Sequence, residues 1–230
     1  MKLTKKKIVV LSGAGMSAES GISTFRDKNG LWENHSIEDV ASREGWARNP
    51  ELVLHFYNDR RRQLHHVQPN KGHLILAELE STYDVQIITQ NVDNLHEMAG
   101  SSKIMHLHGE LFKACNQDKS EIIEWTGDIA LGQLASDRTQ LRPFIVWFGE
   151  EVPEMYAAEE ATKTADILIV IGTSLQVYPA AGLIHAARSA AQKYIVDPNC
   201  IHYNVPGGFE KLPMTATEGM RIVKEKLANL

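Results

Sequence analysis

Short and nearly continuous apolar segments alternate along the chain with longer stretches in which apolar residues recur at helical spacing. The apolar segments are rich in β-branched residues and lie at residues 8–11, 85–89, 103–107, 144–147, 167–171 and 194–196. Strands buried on both faces of a sheet have this pattern, and parallel strands need a connection long enough for a helix. The pattern therefore predicts an α/β fold with a doubly wound parallel sheet.

Two stretches interrupt this alternation. Residues 32–69 have a helical pattern, and residues 111–142 are polar without a clear period. Both are predicted to leave the sheet as insertions and to form a small module beside it, so that residues 1–230 make one catalytic domain. The apolar residues near the end of the chain share one face, as in a surface helix.

The composition is that of an ordinary globular protein, with 43% hydrophobic and 23% charged residues. A net charge of −5 gives no electrostatic reason to expect a nucleic-acid partner. Four apolar residues after the N-terminal lysines are too few for a signal peptide or a membrane span, so a cytoplasmic protein without a membrane partner is expected, by default a monomer. The two cysteines, Cys115 and Cys200, are too few for a disulfide framework.

A glycine turn directly after the first predicted strand indicates a dinucleotide site. Gly13, Ala14 and Gly15 would let backbone N–H groups approach a pyrophosphate at the start of a helix. A dehydrogenase would continue into a second strand with an acidic residue about 20 positions on. Here Phe25 and Arg26 precede another glycine instead, which predicts a loop that closes over the ligand.

Polar residues also follow other predicted strands, at the sheet edge where ligands gather in parallel sheets. Amide and carboxylate groups after the second strand can hold ribose hydroxyls and a carboxamide, and a hydroxyl-rich glycine turn after the 167–171 strand can complete a pyrophosphate and ribose cradle. These residues are Gln90, Asn91, Val92 and Asp93 in the first group and Gly172, Thr173 and Ser174 in the second.

Two histidines end the third predicted strand. His108 lies at its tip before a glycine, and it is the candidate general base because imidazole titrates near neutrality. His106 is predicted to be a structural histidine.

Taken in order, these motifs resemble those of the sirtuins, the NAD-dependent protein lysine deacylases. The segments GAGMSAESGISTFRD, TQNVDNLHEMAG, HLHGE, VWFGE and GTSLQVYPAAG occur in the family's order between residues 13 and 182. The resemblance implies a Rossmann-like large domain with a small module, NAD as a consumed co-substrate, and acyl-lysine proteins or peptides as substrates. It further implies that the acyl oxygen attacks the ribose carbon that bears nicotinamide and that lysine and O-acyl-ADP-ribose are released.

The resemblance also implies roles for single residues. His108 would act as the base, Asn91 would order ribose and water, and Asp93 would accept from the nicotinamide amide. Other cofactor contacts would come from Ala18, Phe25, Arg26, Gln90, Asn199 and Ala216. Peptide contacts, including the addition of the peptide as an extra strand, would come from Val146, Phe148, Gly149, Glu150, Val177 and Tyr178.

Substrate preference has a separate signal in the first insertion. Tyr57 and Arg60 are three residues apart and share one helix face. A phenol beside a guanidinium can bind a carboxylate, which succinyl- and malonyl-lysine carry and acetyl-lysine lacks. The sirtuin branch that removes acidic acyl groups has this Tyr-x-x-Arg pattern with a small upstream alanine, which Ala41 matches, so both deacetylation and desuccinylation or demalonylation are predicted.

Most sirtuins hold a structural zinc with two cysteine pairs in the second insertion. Residues 111–142 contain only Cys115, so no zinc and no other metal ligands are predicted. Apolar packing would then hold the module, and the candidates are Leu111, Phe112, Ile122, Ile123, Trp125, Ile129, Leu131 and Leu134.

Two other functions stay open at this point. A mono-ADP-ribosyltransferase would use the same NAD pocket and His108 but would transfer ADP-ribose to a protein side chain. A non-catalytic NAD or ADP-ribose sensor is suggested by the missing cysteines, although a sensor has little need of a base at the ribose.

Overall fold

The computed structural model describes residues 5–23 and 35–229. Its parallel strands are β1 (Lys7–Ser12), β2 (Asp84–Thr89), β3 (Ile104–His106), β7 (Ile167–Ile171), β8 (Gln192–Val196) and β9 (Phe209–Leu212). They form one six-stranded sheet in the order β3-β2-β1-β7-β8-β9, and every neighbouring pair is parallel. The predicted α/β fold with a doubly wound parallel sheet is confirmed.

The helices in the described ranges are α1 (Ile37–Val40), α2 (Arg43–Arg48), α3 (Pro50–Leu64), α4 (Lys71–Leu79), α5 (Leu95–Met98), α6 (Met155–Lys163) and α7 (Ala216–Leu227). Helices α4 and α7 cover one face of the parallel sheet, and α6 and a 3-10 helix at Ala180–His185 cover the other. Strand β1 is central, and Ile8, Val9 and Val10 have no exposed surface. In these two ranges no helix is long and apolar enough to cross a membrane.

A second sheet contains the strands β4 (Gly109–Cys115), β5 (Ile122–Glu124) and β6 (Arg142–Ile145). Its order is β5-β4-β6, and its strands are antiparallel. The prediction that the apolar run at 144–147 belongs to the parallel sheet is therefore wrong. The run is apolar because it packs with α3 in a separate core, whereas the sixth parallel strand, β9, has the less regular sequence FEKL at the sheet edge.

The small module combines helices from the first insertion with this second sheet. Of the predicted packing residues, Leu111 and Ile129 are buried, and Phe112, Ile123 and Trp125 are partly buried against them. Ile122, Leu131 and Leu134 are instead exposed by 47%, 56% and 55%, so their predicted place in the cluster is wrong. Ile122 lies on the solvent face of the edge strand β5, and Leu131 and Leu134 lie in a turn-rich segment that leaves their side chains exposed.

Buried polar contacts join the two insertions as well. The Arg61 side chain is fully buried, and its Nε donates to the Leu111 carbonyl oxygen at 2.8 Å. Arg61 also donates to Asn58 Oδ1 at 2.8 Å, and the Asn58 amide donates to the Ile129 carbonyl oxygen at 3.0 Å. Because these groups are buried, their mutual hydrogen bonds fix the position of α3 against β4.

Candidate active site

A cavity of about 690 Å³ lies at the carboxyl ends of the parallel strands and reaches the small module. Every predicted site residue in the described ranges lines it, whereas Phe25 and Arg26 lie outside those ranges. The lining includes Gly13, Ala14, Gly15, Ala18, Ala41, Tyr57, Arg60, Gln90, Asn91, Val92, Asp93, His108, Val146, Phe148, Gly149, Glu150, Gly172, Thr173, Ser174, Val177, Tyr178, Asn199 and Ala216.

The two glycine turns pack directly on each other where the strand order reverses between β1 and β7. Gly13 N donates to the Ile171 carbonyl oxygen at 3.0 Å, and Gly15 N donates to that of Gly172 at 2.8 Å. Gly172 has a φ of +61°, and a Cβ there would lie 2.1 Å from Met16 N. These glycines are therefore required for the close approach of two backbones.

The segment after Gly13 differs from the prediction in one respect. It forms two three-residue 3-10 helices, Ala14–Met16 and Ala18–Ser20, instead of the start of an α-helix. Because the N–H groups of Gly13 and Gly15 already bond to carbonyls of the β7 turn, the predicted donation of these two groups to a pyrophosphate is not available in this arrangement.

The polar residues after β2 are tied to this turn by a buried network. The Asn91 amide donates to the Gly13 carbonyl oxygen and to Ser17 Oγ, both at 3.1 Å. Ser17 Oγ in turn donates to Asp93 Oδ2 at 2.9 Å, and Leu95 N donates to Asp93 Oδ1 at 3.1 Å. Burial raises the pKa of the Asp93 carboxyl, although these hydrogen bonds oppose the shift. The network holds an amide and a carboxyl group side by side at the cavity wall.

Two further bonds fix the predicted base and the ribose side of the cavity. The His108 Nδ1 lies 3.1 Å from the Gln90 carbonyl oxygen, so Nδ1 carries the hydrogen and Nε2 keeps the basic lone pair. Burial lowers the pKa of His108, which this hydrogen bond partly offsets, so the ring is neutral at neutral pH. The Gln90 amide donates to Thr173 Oγ1 at 3.2 Å and joins the β2 and β7 ends.

The residues after β8 close the far end of the cavity. Asp197 Oδ1 accepts from Asn199 N at 2.9 Å and from the Tyr203 hydroxyl at 2.6 Å. Asn199 and Ala216 line this end of the cavity. Their position beyond the parallel strands fits the nucleotide contacts predicted for them, which stay predictions.

The predicted acyl-recognition residues Tyr57 and Arg60 lie on α3, and Asn49 directly precedes this helix. The Asn49 side chain accepts from Leu52 N at 3.1 Å and caps the helix. Tyr57 is fully buried and accepts from Trp147 Nε1 at 3.2 Å, and burial raises the pKa of its phenol. The Arg60 guanidinium lies 4.3 Å from the centre of the Phe56 ring. A neutral phenol and a cation thus reach the cavity that contains His108.

The predicted peptide wall runs from Val146 to Glu150. Val146 N donates to the His108 carbonyl oxygen at 2.9 Å, and Phe148 N donates to that of Ala41 at 2.9 Å. The Glu150 carboxylate accepts from Trp147 N at 2.8 Å and from Lys119 Nζ at 2.7 Å, and it pairs with the buried Arg142. The Glu150 carboxylate thus fixes the wall segment to Arg142 and Lys119. The addition of a peptide strand along this segment stays a prediction.

The second insertion does not fit a four-thiolate zinc site. Cys115 is buried with its Sγ 3.8 Å from the Pro143 carbonyl oxygen, and burial raises the pKa of its thiol to about 11, which disfavours the thiolate that zinc requires. The Asn116 amide instead bonds to Ser120 and Asp137, each at 3.0 Å. Across residues 5–23 and 35–229, no group of three His, Cys, Asp or Glu side chains is placed to hold a metal ion.

We expect the protein purified without a chelator to contain far less than one zinc ion per chain. We also expect its midpoint of thermal unfolding to be unchanged by a chelator, because hydrogen bonds and packing hold the insertion. Elemental analysis with a parallel melting curve checks both. Stoichiometric zinc whose removal lowers the unfolding temperature would contradict the prediction.

Two residues of the site were not predicted from the sequence. Ser17 bridges Asn91 and Asp93, and its place in the glycine-rich motif was the available signal. Trp147 lies between two predicted wall residues and contacts Tyr57 from the opposite face of the segment. The alternation of side chains along an extended segment could have indicated it.

Comparison with known proteins agrees with this geometry. The profile of the Sir2 family matches residues 13–179. A protein of Bacteroides thetaiotaomicron named NAD-dependent protein deacylase is 52% identical over 229 residues, covering 96% of this chain and 98% of the relative. One of Helicobacter pylori with the same name is 53% identical over 226 residues, covering 98% and 99%. The structure of a Sir2 homologue with ADP-ribose superposes with a TM-score of 0.86 at 36% identity, covering 97% of this chain and 94% of that one.

Proposed function

This chain belongs to the Sir2 family, and on that premise we propose that it is an NAD-dependent protein lysine deacylase that removes acetyl groups and acidic acyl groups. The observation that carries the proposal is one cavity lined by His108, Asn91 and Asp93 together with Tyr57 and Arg60. Because the parallel sheet and both insertions contribute to this cavity, we further propose that they act as one catalytic domain.

The end of the cavity formed by the parallel strands fits a dinucleotide. When bound, NAD supplies a ribose carbon that an acyl oxygen can attack as nicotinamide leaves. The turns at Gly13 and Gly172 line this end of the cavity, and the Asp93 carboxyl can accept from a carboxamide N–H. The Asn91 side chain is held by Gly13 and Ser17, so its amide oxygen has a fixed position for ribose or water.

His108 supplies the base. Its Nδ1–H is held by the Gln90 carbonyl, and its Nε2 can take a proton from a ribose hydroxyl. Since burial keeps the ring neutral at neutral pH, the acceptor form is present before substrate arrives. This feature favours an enzyme over a pure NAD sensor.

The α3 end of the cavity fits the acyl group. Tyr57 accepts from the Trp147 indole N–H, and an indole nitrogen is a donor only, so the Tyr57 hydrogen points away from Trp147. The raised pKa of Tyr57 keeps this hydrogen in place. A phenol donor and the Arg60 guanidinium on one helix face can therefore bind the distal carboxylate of a succinyl or malonyl group.

We expect Arg60→Met to lower kcat/KM for a succinyl-lysine peptide by roughly 10- to 100-fold, because a hydrogen bond to a charged group contributes about 1.5–3 kcal/mol. For the matched acetyl-lysine peptide we expect a change of less than about threefold, since that substrate has no carboxylate and methionine keeps the packing on Phe56. Steady-state kinetics with both peptides measures the ratio.

The matched control is Arg62→Met, since Arg62 lies on the same helix but pairs with Asp59 and Asp128 at the surface. It should leave both activities unchanged. An equal loss on both peptides in Arg60→Met would contradict the carboxylate role.

The test of the function itself is one incubation with NAD and matched acetyl- and succinyl-peptides, followed by mass spectrometry. NAD-dependent acyl loss with equimolar nicotinamide supports the deacylase. Transfer of ADP-ribose to protein without acyl loss would indicate the transferase instead. Tight ADP-ribose binding without either reaction would indicate the sensor.

A further inference from the structure

His106, at the end of β3, is bonded at both ring nitrogens. Its side chain is 7% exposed, its Nδ1 lies 3.0 Å from the Asn91 carbonyl oxygen, and its Nε2 lies 2.8 Å from Glu97 Oε1. A backbone carbonyl and a carboxylate are acceptors only, so both ring nitrogens must carry a hydrogen for both bonds to form. The geometry thus describes an imidazolium, whereas a neutral ring could make only one of the two bonds.

The charged groups around His106 favour that form. Glu97 faces it from α5 and Glu110 from β4, where Lys113 pairs with Glu110 at 2.8 Å. Asp93 and the buried His96 are further titratable neighbours. Burial by itself lowers the pKa of His106, but Glu97, the Asn91 carbonyl and Glu110 outweigh burial and raise it. His96 adds no charge at neutral pH, because burial holds its pKa well below the ordinary value.

The bond from His106 reaches the segment that carries Asn91 and Asp93. Three successive carbonyl oxygens of this segment accept hydrogen bonds from the end of β3 and the chain after it. The bonds are Gln90 from His108 Nδ1 at 3.1 Å, Asn91 from His106 Nδ1 at 3.0 Å and Val92 from Leu111 N at 2.8 Å. The middle bond depends on a ring that loses its charge as the pH rises. The Asn91 side chain, on the other side, is bonded to Gly13.

We propose that His106 is a positioning residue that holds the 90–93 segment in its catalytic position only while both of its ring nitrogens carry a hydrogen. A neutral ring has one hydrogen for two acceptors, and the charged Glu97 carboxylate, the stronger acceptor, keeps that hydrogen on Nε2. Nδ1 then presents a lone pair to the Asn91 carbonyl oxygen, so this bond is lost and the contact becomes repulsive. The proton released from His106 passes to solvent. The inference rests on the proposed deacylase function and assigns its alkaline limit to His106, while His108 sets the acid limit.

The direction of the pH dependence of activity follows from the protonation state of His106. The pKa of His106 is raised, and only the charged ring makes both hydrogen bonds. The bond to the Asn91 carbonyl is therefore fully formed at a pH below the ordinary imidazole pKa, and it is lost as the pH rises through the raised pKa. The wild-type kcat for acetyl-peptide deacylation should therefore fall on the alkaline side.

Two variants test this origin of the alkaline limb. Glu97→Gln removes the charge that favours the imidazolium, so the midpoint of the limb should move down by about 1 pH unit. His106→Asn keeps a non-titrating N–H donor near the Nδ1 position, so the limb should vanish. Its kcat should fall by about tenfold at most, because only the bond to Glu97 is lost. His55→Asn is the control, because His55 and Asp59 form an exposed pair on α3, and its profile should match the wild type.

A merely structural role would lower kcat without moving the profile. If Glu97→Gln and the wild type share one alkaline midpoint, the proposal is wrong. Nitrogen-15 spectra of histidine-labelled protein provide a direct readout, with the His106 signal identified by its loss in His106→Asn. Two protonated ring nitrogens at pH 7 are expected, and a single one would overturn the proposal.

The deacylase function and the positioning role of His106 can be tested separately. If the wild-type protein deacylates neither peptide, the proposed function fails. The spectra and the pH dependence of ADP-ribose affinity still decide the state of His106, because the Asn91 segment lines the nucleotide end of the cavity. An affinity that is independent of pH across the His106 titration would then overturn the positioning role.

Discussion

We expect His108→Ala to lower kcat for deacylation by roughly 10²- to 10⁴-fold, the usual contribution of a positioned general base. Affinity for ADP-ribose should fall far less than kcat, because the variant removes the bond to the Gln90 carbonyl but keeps the Asn91 side-chain bonds and both glycine turns. In the wild type the lowered pKa of His108 means that the base form persists below the ordinary imidazole value. The acid limb of kcat/KM should lie correspondingly low. Single-turnover kinetics and a pH profile measure both effects.

A second variant separates the base from its structural bond. His108→Asn can still donate from its amide to the Gln90 carbonyl but has no base at the Nε2 position. It should be about as inactive as the alanine variant while keeping the wild-type unfolding temperature. Activity near the wild-type level in His108→Asn would mean that another group takes the ribose proton.

The other large effect is expected from Gly172→Ala. Its Cβ would lie 2.1 Å from Met16 N and 2.5 Å from the Gly15 carbonyl carbon, and its φ of +61° is strained for a side chain. Backbone atoms cannot move aside as a flexible side chain can, so the two turns must separate. We expect destabilisation by about 3 kcal/mol and loss of measurable ADP-ribose binding. Thermal unfolding and calorimetric titration measure these two results.

Gly100→Ala is the matched control. Gly100 also has a positive φ, +97°, but a Cβ at this position would have no neighbour within 4 Å, and the residue is outside the cavity lining. Only the conformational strain of about 1–2 kcal/mol should remain there, with ADP-ribose binding intact. Equal stability and equal binding in the two variants would contradict the close-approach role of Gly172.

The sequence predicted the parallel sheet well because burial on both faces imposes apolar residues at successive positions, as in Ile8, Val9 and Val10. It misplaced β6 because burial against α3 imposes the same apolarity on a strand of another sheet. It missed β9 because an edge strand is buried less, and Glu210 there is exposed. An apolar run in the sequence predicts that a segment is buried, but it does not predict which element the segment packs against.

The candidate site, like the fold, could be predicted from the sequence only in part. Strand ends of a parallel sheet meet at one edge, so the polar residues after β1, β2, β3 and β7 could be predicted to share a cavity. How those residues use their hydrogen bonds could not. The N–H groups of Gly13 and Gly15 bond to the β7 turn, and the Glu150 carboxylate turns inward to Arg142 and Lys119. The partners of Gly13 and Gly15 are more than 150 positions away, and Lys119 lies 31 positions before Glu150.

The sequence by itself determined the sheet, the edge at which ligands gather and the chemical groups available there, because these depend on periodicity and on the ends of strands. The tertiary structure decided the state of each group. His106 and His108 are two residues apart, yet Glu97 holds a proton on the first while burial removes it from the second. Likewise Tyr57 meets Trp147 across 90 positions of the chain. Protonation and hydrogen-bond direction depend on the nearest charges and donors in space, and only the folded chain brings those together.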